Sequence, residues 1–365
     1  MMKKQVILSA LGWLLLVLLL AALCFVTASP WVLAALLLCV TLPLVSFGVN
    51  FAIRKRLHLS LSLPTSTAKK TAVSVRAELR NDGFFPALRV FVPIQVKNDL
   101  TGERKQFEII LSAGGKSSQT SEFLLDSAYC GRLSIQTDKV WLMDYFGFLP
   151  VKAALTASAK TTVLPDMFPS EVNLIPAPAV SDEGAENRRG SDRSEVYQLR
   201  EYRPGDDIRQ IHWKLSSKLD ELILKEASQP ESRSLLVFWD KRTGTPQQMD
   251  ALAEVVSSAG AALLQSGVQY TLCWTEEDDL QAQDILDENQ LLQAIPELVK
   301  TRGSADCRLP EMGDYSRILY FSVKPEERML TDERVHFVLC TEEPFPDATT
   351  FAPQNYSETM QRLEV

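Results

Sequence analysis

The sequence holds little with which to do metal or redox chemistry. Its three histidines, His58, His212 and His336, are far apart, and its six cysteines form no Cys-x-x-Cys pair. Zinc sites need clustered nitrogen and sulfur ligands at short spacing, so no metal centre is expected. Cys24 and Cys39 fall in apolar runs, while Cys130, Cys273, Cys307 and Cys340 stand singly. Such scatter fits a reducing compartment better than a disulfide framework. No Gly-x-x-x-x-Gly-Lys-Ser/Thr run cradles a nucleotide phosphate, and no Gly-x-Ser-x-Gly elbow presents a serine nucleophile. Neither a cofactor nor a catalytic constellation is indicated.

Excess positive charge is lacking too. Residues 57–365 hold all 46 acidic residues and 33 of the 38 lysines and arginines, a formal charge of −13. An acidic body is repelled by phosphate backbones and by an anionic leaflet, which argues against nucleic acid and against broad lipid-surface binding.

Apolar length, in contrast, is plentiful at the N-terminus. Residues 6–26 and 31–53 contain no Asp, Glu, Lys or Arg. Each is long enough for a hydrocarbon core that needs ~20 helical residues. Thr27–Pro30 leaves room only for a tight hairpin, with Trp31 placed to anchor at an interface. Lys3 and Lys4 precede the first run, and Arg54, Lys55 and Arg56 follow the second, so the positive-inside rule puts both ends in the cytoplasm. Two other readings compete. A signal sequence cleaved near Val26-Thr27-Ala28 would have an unusually long core with a second apolar run directly after it. A buried hairpin of a soluble protein would need an unusually long uninterrupted apolar helix. The expected product is a multi-pass cell-membrane protein with its bulk in the cytoplasm.

The remainder divides by pattern. Residues 57–165 alternate short β-prone runs with turn residues: His58–Leu63, Ala72–Arg80, Ala87–Val96, Phe107–Leu111, Ser121–Leu125, Arg132–Thr137 and Lys139–Leu142. About seven strands with no helix between them imply an antiparallel β-sandwich. Residues 166–194, with Pro165 before them and Pro169, Pro176 and Pro178 within, followed by a polar charged run, read as a linker or loop. Residues 195–365 alternate strands and helices, as an open, mostly parallel α/β sheet does. Strands are expected at Ser234–Trp239, Gln269–Trp274, Arg317–Ser322 and Val335–Thr341, and helices at Gln247–Gln265, Glu288–Lys300 and Asn355–Leu363. The acidic run Glu276-Glu277-Asp278-Asp279 reads as a solvated loop.

The densest chemistry lies in residues 200–226. Between expected strands at Val196–Tyr202 and Leu222–Leu224, Pro204-Gly205 suits the centre of a tight turn. Asp206 or Asp207 then caps a short helix with Ile208, Ile211 and Leu215 on one face. Arg200, Arg203, Asp206, Asp207, Arg209 and Lys214 crowd together with both signs of charge, which favours mutual pairing that fixes the segment's shape.

These residues resemble the signature of a bacterial family, domain of unknown function 58. The matching positions are Arg200, Glu201, Tyr202, Gly205, Asp206, Arg209, Ile211, Trp213 and Lys214, with Glu226 at the motif's end. His212 stands where relatives commonly carry an acid, which removes one chemical role from that place. Weaker echoes are Cys130-Gly131-Arg132 and Asp144-Tyr145-Phe146-Gly147-Phe148, the latter with Tyr145 in place of the family's proline. The resemblance implies a C-terminal von Willebrand factor A-like domain. Such domains bind Mg²⁺ through Asp-x-Ser-x-Ser, and the run here is Asp240-Lys241-Arg242-Thr243-Gly244, whose cations occupy the place of a dication. It also implies partners: relatives are often encoded beside MoxR-type AAA+ ATPases and transglutaminase-like membrane proteins. The expected organisation is therefore a 1–56 transmembrane hairpin, a 57–165 sandwich, a 166–194 linker and a 195–365 unit with the motif and an α/β von Willebrand factor A-like sheet. Its expected role is a non-enzymatic membrane-anchored scaffold. The alternative is a small-ligand binder or enzyme using the 203–214 motif, where acid, base and imidazole converge on one turn.

Overall fold

The computed structural model describes residues 2–27, 29–173, 197–201, 216, 223–227, 233–305, 309–311, 313 and 315–364. Two apolar helices open the chain, α1 (Met2–Thr27) and α2 (Pro30–Ile53), both long and apolar enough to cross a membrane. Pro30 begins α2, where its missing N–H would have had no partner anyway. The helices fold back on each other, the Trp13 indole N–H donating to the Cys39 carbonyl at 3.2 Å. Large apolar side chains point outward along both, among them Leu15, Phe25, Leu38 and Val45.

A strand-rich region follows: β1 (Leu57–Ser62), β2 (Ser66–Ala68), β3 (Val73–Asn81), β4 (Ala87–Asn98), β5 (Arg104–Ala113), β6 (Ser117–Leu125), β7 (Gly131–Thr137), β8 (Val140–Met143), β9 (Pro150–Ala153), β10 (Ala157–Leu164) and β11 (Glu171–Asn173). One antiparallel sheet runs β1-β3-β6, and a second runs β2-β10-β7-β4-β8-β9 with β5 added beside β4. The second is antiparallel except where β2 joins β10. Period-two burial aims Val73, Val75, Ala77 and Leu79 of β3 inward. They share one core with Val90, Val92 and Ile94 of β4 and with Leu133 and Ile135 of β7. All seven expected strands are present; β2, β9, β10 and β11 are additional.

β12 (Tyr197–Glu201) and β13 (Ile223–Ala227) pair as a separate antiparallel ladder. The α/β portion then comprises β14 (Arg233–Trp239), α3 (Pro246–Gln265), β15 (Tyr270–Glu276), β16 (Asp279–Ile285), α4 (Glu288–Leu298), β17 (Tyr315–Ser322), β18 (Val335–Cys340), β19 (Ala348–Phe351), α5 (Tyr356–Thr359) and β20 (Arg362–Glu364). Its six-stranded sheet has the order β16-β15-β14-β17-β18-β19, parallel except at β16. A capping box between Thr245 and Gln248 starts α3, reinforced by Pro246. Leu235, Val237 and Trp239 share a core with α3 and α4, while Leu236 and Phe238 belong to a second core with Tyr320 and Phe337.

Two expectations need correction. The terminal helix Asn355–Leu363 shrinks to the four residues of α5; Leu363 instead lies in β20, which pairs in parallel with β11, opposite Val172. That pairing also draws the start of the expected linker into the fold: Phe168 N–H donates to Ser258 Oγ at 3.1 Å, and Val172 is buried. The rest of the expected linker, 174–194, lies outside the described residues. The acidic run Glu276–Asp279 is exposed as expected at Glu277, Asp278 and Asp279, and forms the tight turn of the β15–β16 hairpin, with Glu277 at φ 50°.

Candidate functional site

The structure divides the sequence motif. Arg200 and Glu201 belong to β12, opposite Leu224 and Ile223, and Glu226 of β13 lies opposite Gln198. The ladder thus places the two ends of the motif in register. Tyr202, Arg203, Gly205, Asp206, Asp207, Arg209, Trp213 and Lys214 lie outside the described residues.

In open α/β sheets the ligand crevice lies beyond the carboxyl ends of the strands, where strand order reverses. Here that place is the end of β14, between β15 and β17, and Asp240 stands at it. Its carboxylate is already engaged. Arg242 donates from Nε to Oδ1 at 2.9 Å and from Nη2 to Oδ2 at 2.7 Å, and the Tyr320 hydroxyl donates to Oδ2 at 2.7 Å. Arg242 also reaches Glu326 at 2.6 Å. The hydrogen bonds it donates to Asp240 lift the Arg242 guanidinium further above its ordinary range; burial, then the Asp240 charge, raises the Tyr320 hydroxyl. Lys241, fully buried, turns its ammonium to the Leu298 carbonyl at 2.8 Å. Both carboxylate oxygens of Asp240 are therefore occupied by protein donors. Among the described residues, no group of three or more His, Cys, Asp or Glu side chains could hold a metal ion.

A second charged centre joins the two halves of the molecule. Lys69, after β2, sends its ammonium to Asp250 Oδ2 at 2.5 Å and Glu254 Oε1 at 2.6 Å, both on α3. The side chains of these three residues are 5%, 9% and 4% exposed. Burial alone would lower the Lys69 ammonium, but the hydrogen bonds and charges of the two acids outweigh it and hold it above the usual lysine range. The other oxygens are taken as well. Asp250 Oδ1 accepts the Cys130 N–H at 2.7 Å, Glu254 Oε1 accepts Asp166 N–H at 3.4 Å, and Glu254 Oε2 accepts the Tyr356 hydroxyl. Burial, followed by the Glu254 hydrogen bond, raises the Tyr356 hydroxyl. Burial also pushes the Cys130 thiol well up, so it is a packed group and a poor nucleophile. Satisfied so fully, the cluster is a joint between strands and helix.

The sequence held a signal for this joint. Asp250 and Glu254 are four apart on a helix whose neighbouring positions Met249, Leu252, Ala253 and Val256 are buried, so both acids had to face inward and find a cation. Cys130-Gly131-Arg132 gains a physical reason here too. Gly131 has φ +123°, and a Cβ would fall 2.6 Å from Asn98 Oδ1 and 2.9 Å from Leu100 Cβ. Only glycine fits that corner, and it delivers the Cys130 N–H to Asp250.

The other echo forms a second joint. Asp144 accepts N–H groups of Phe146, Phe148 and Leu149, closing a loop in which Gly147 takes φ +80°. The loop rests on α2: Asn50 Nδ2 donates to the Met143 carbonyl at 2.7 Å, and Tyr145 N–H donates to Ser46 Oγ at 2.7 Å. Phe148 lies 5.5 Å from Trp13 of α1, centroid to centroid. Between the strand region and the α/β portion, a cleft of about 960 Å³ is lined by Lys97, Arg132 and Lys160 on one side and by the acidic hairpin turn Glu276–Asp279 on the other.

The comparisons agree with this picture only in part. No curated protein matches the sequence. Solved structures resemble short stretches: the CARDB domain of a Pyrococcus furiosus protein, bound to two metal ions, is 14% identical, with 30% of this chain and 87% of that chain covered at a TM-score of 0.23. A cohesin module from a Clostridium perfringens family 33 glycoside hydrolase is 8% identical, with 29% and 96% covered at a TM-score of 0.22. Neither fold nor activity transfers at these scores. The family model "Protein of unknown function DUF58" matches residues 198–271, a span that opens in β12 and ends in β15. That match, which spans the motif, supports an assignment of this stretch to the DUF58 family.

Proposed function

We propose that this protein is a membrane-anchored, non-enzymatic scaffold that holds an acidic α/β unit at a fixed height above the inner face of the cell membrane. The observation that carries the reading is an unbroken series of joints. The apolar helices grip the strand region through Ser46 and Asn50, and the strand region grips α3 through Lys69. In this reading the strand region is an antiparallel sandwich, supported by two sheets sharing one core. The α/β unit is von Willebrand factor A-like, supported by its β16-β15-β14-β17-β18-β19 order with one antiparallel edge. Its cation site is replaced by Arg242, so recognition rests on side chains rather than a bridging metal. The basic flanks of the helices favour a cytoplasmic body.

The first partner to test is a MoxR-type AAA+ ATPase, with a transglutaminase-like membrane protein second. The full chain, captured by affinity from membranes in mild detergent, should enrich the neighbouring ATPase, and Arg200, Arg203 and Arg209 are the positions to vary. Repeated capture without that ATPase counts against the reading. The competing reading makes the 203–214 motif a ligand or catalytic site. It predicts a perturbed His212 in NMR titration and a thermal shift with nucleotides or anions, and it falls if both are ordinary.

A further inference from the structure

A groove of about 880 Å³ opens at the junction of α2 with the strand region. Arg54, Lys55, His58, Lys139 and Lys152 line it, and no carboxylate does. These cations come from separate places: the end of α2, β1, the turn before β8, and β9. Among the described residues, Arg54, Lys55, Lys139 and Lys152 have no ion-pair partner; Arg54 instead rests 3.7 Å above Phe51, and Lys152 faces Trp141 at 5.8 Å. His58 touches Asp82 at 3.3 Å. Four uncompensated cations around one hollow repel one another, which an anion in the hollow relieves. Elsewhere in this acidic chain, exposed cations such as Arg76, Lys97 and Lys105 have acidic neighbours.

The groove's position selects the anion. Arg54 and Lys55 directly follow α2, so if α2 crosses the bilayer they lie at headgroup depth. The strand region cannot swing its lysines away, because Ile53 is buried in its core and Asn50 and Ser46 hold the loop between β8 and β9. Beside that loop, Phe146, Leu149, Phe84, Phe85 and Leu88 present exposed apolar side chains, tied together by the Tyr145 hydroxyl donating to the Pro86 carbonyl at 2.9 Å. A basic hollow at one end of the β8–β9 hairpin, with exposed apolar side chains around the loop at its other end, matches a phosphate diester with acyl chains attached.

We infer that the groove is a binding site for the headgroup of an anionic phospholipid. The inference rests on the membrane reading and adds a lipid ligand to it. The test uses the full chain purified in nonionic detergent, with its thermal midpoint measured after addition of phosphatidylglycerol, phosphatidylcholine or inorganic phosphate. Phosphatidylglycerol raises the midpoint, the other two do not, and Lys139→Gln/Lys152→Gln loses the increment. Lys116→Gln/Lys160→Gln removes equal charge from exposed positions elsewhere and keeps it. An equal increment with phosphatidylcholine, or one retained by the Lys139/Lys152 variant, overturns the site. An equal increment with inorganic phosphate overturns the lipid and leaves a free-anion site. Carbonate washing separates the two levels: a chain released from its membranes by carbonate removes the membrane reading and the lipid site together, whereas a retained chain with no phosphatidylglycerol effect removes the site alone.

Discussion

Substituting Lys69 by methionine isolates the joint on which the account of a rigid body depends. Methionine keeps most of the apolar stem and deletes the ammonium that lies 2.5 Å from Asp250 and 2.6 Å from Glu254. Two acids with less than a tenth of their side chains exposed would then face each other without a cation. Breaking a buried pair in this way costs about 3–5 kcal/mol, since the stranded charge stays out of water. Urea unfolding of the full chain in micelles, followed by tryptophan fluorescence, measures the loss. Arg76→Ala provides the internal scale: its pair with Glu122 has side chains 63% and 54% exposed, and exposed pairs contribute under ~1 kcal/mol. The sign of the linkage gives a second test. A lysine held above its unfolded value of 10.5 contributes fully below that pH and loses its contribution only as pH climbs through the folded value. The difference between Lys69→Met and the parent should therefore persist at neutral pH. A loss no larger than that of Arg76→Ala would refute a buried joint.

Other substitutions probe the remaining contacts by the same unfolding measurement. Gly131→Ala should cost about 1–3 kcal/mol from overpacking against Asn98 and Leu100, with backbone strain in addition; an unchanged midpoint would mean that the corner is roomy. Arg242→Ala should cost about 1–3 kcal/mol by unpairing the nearly buried Asp240, and a neutral result would leave Tyr320 as its sufficient partner. His336, whose pKa is lowered by burial and then by Arg317, contributes stability that falls as pH drops through its unfolded value of 6.5 toward the folded one. His336→Asn should flatten that slope, and an unaltered slope would assign the titration elsewhere.

Where structure depends on near neighbours, the sequence was legible. Val73, Val75, Ala77 and Leu79 alternate and form a strand; Leu252, Val255, Val256, Ala259 and Leu263 repeat at helical spacing and line α3. Where distant partners decide, it was not. Leu363 reads as helical, yet an edge pairing with Val172 draws it into a strand. Nothing near Lys69 in the chain announces its partners, acids 181 and 185 residues away. The acidic run Glu276–Asp279 reads as loop, and its role as a hairpin turn follows only from the antiparallel edge strand after it. Of the motif, local pattern supplied the flanking strands, which β12 and β13 bear out, while the turn between them lies outside the described residues.

The central claim, a body held at the cytoplasmic face by two crossing helices, is tested most directly by paired reporter fusions after Val365. Basic residues flank both outer ends of the helices, Lys3 and Lys4 before the first apolar run and Arg54, Lys55 and Arg56 after α2, so the positive-inside rule predicts that both ends share a compartment. A phosphatase that folds only outside the cytoplasm should be inactive there, and a fluorescent protein that folds only inside should glow. Active phosphatase with a dark fluorescent fusion would contradict the orientation and any cytoplasmic ATPase partner with it.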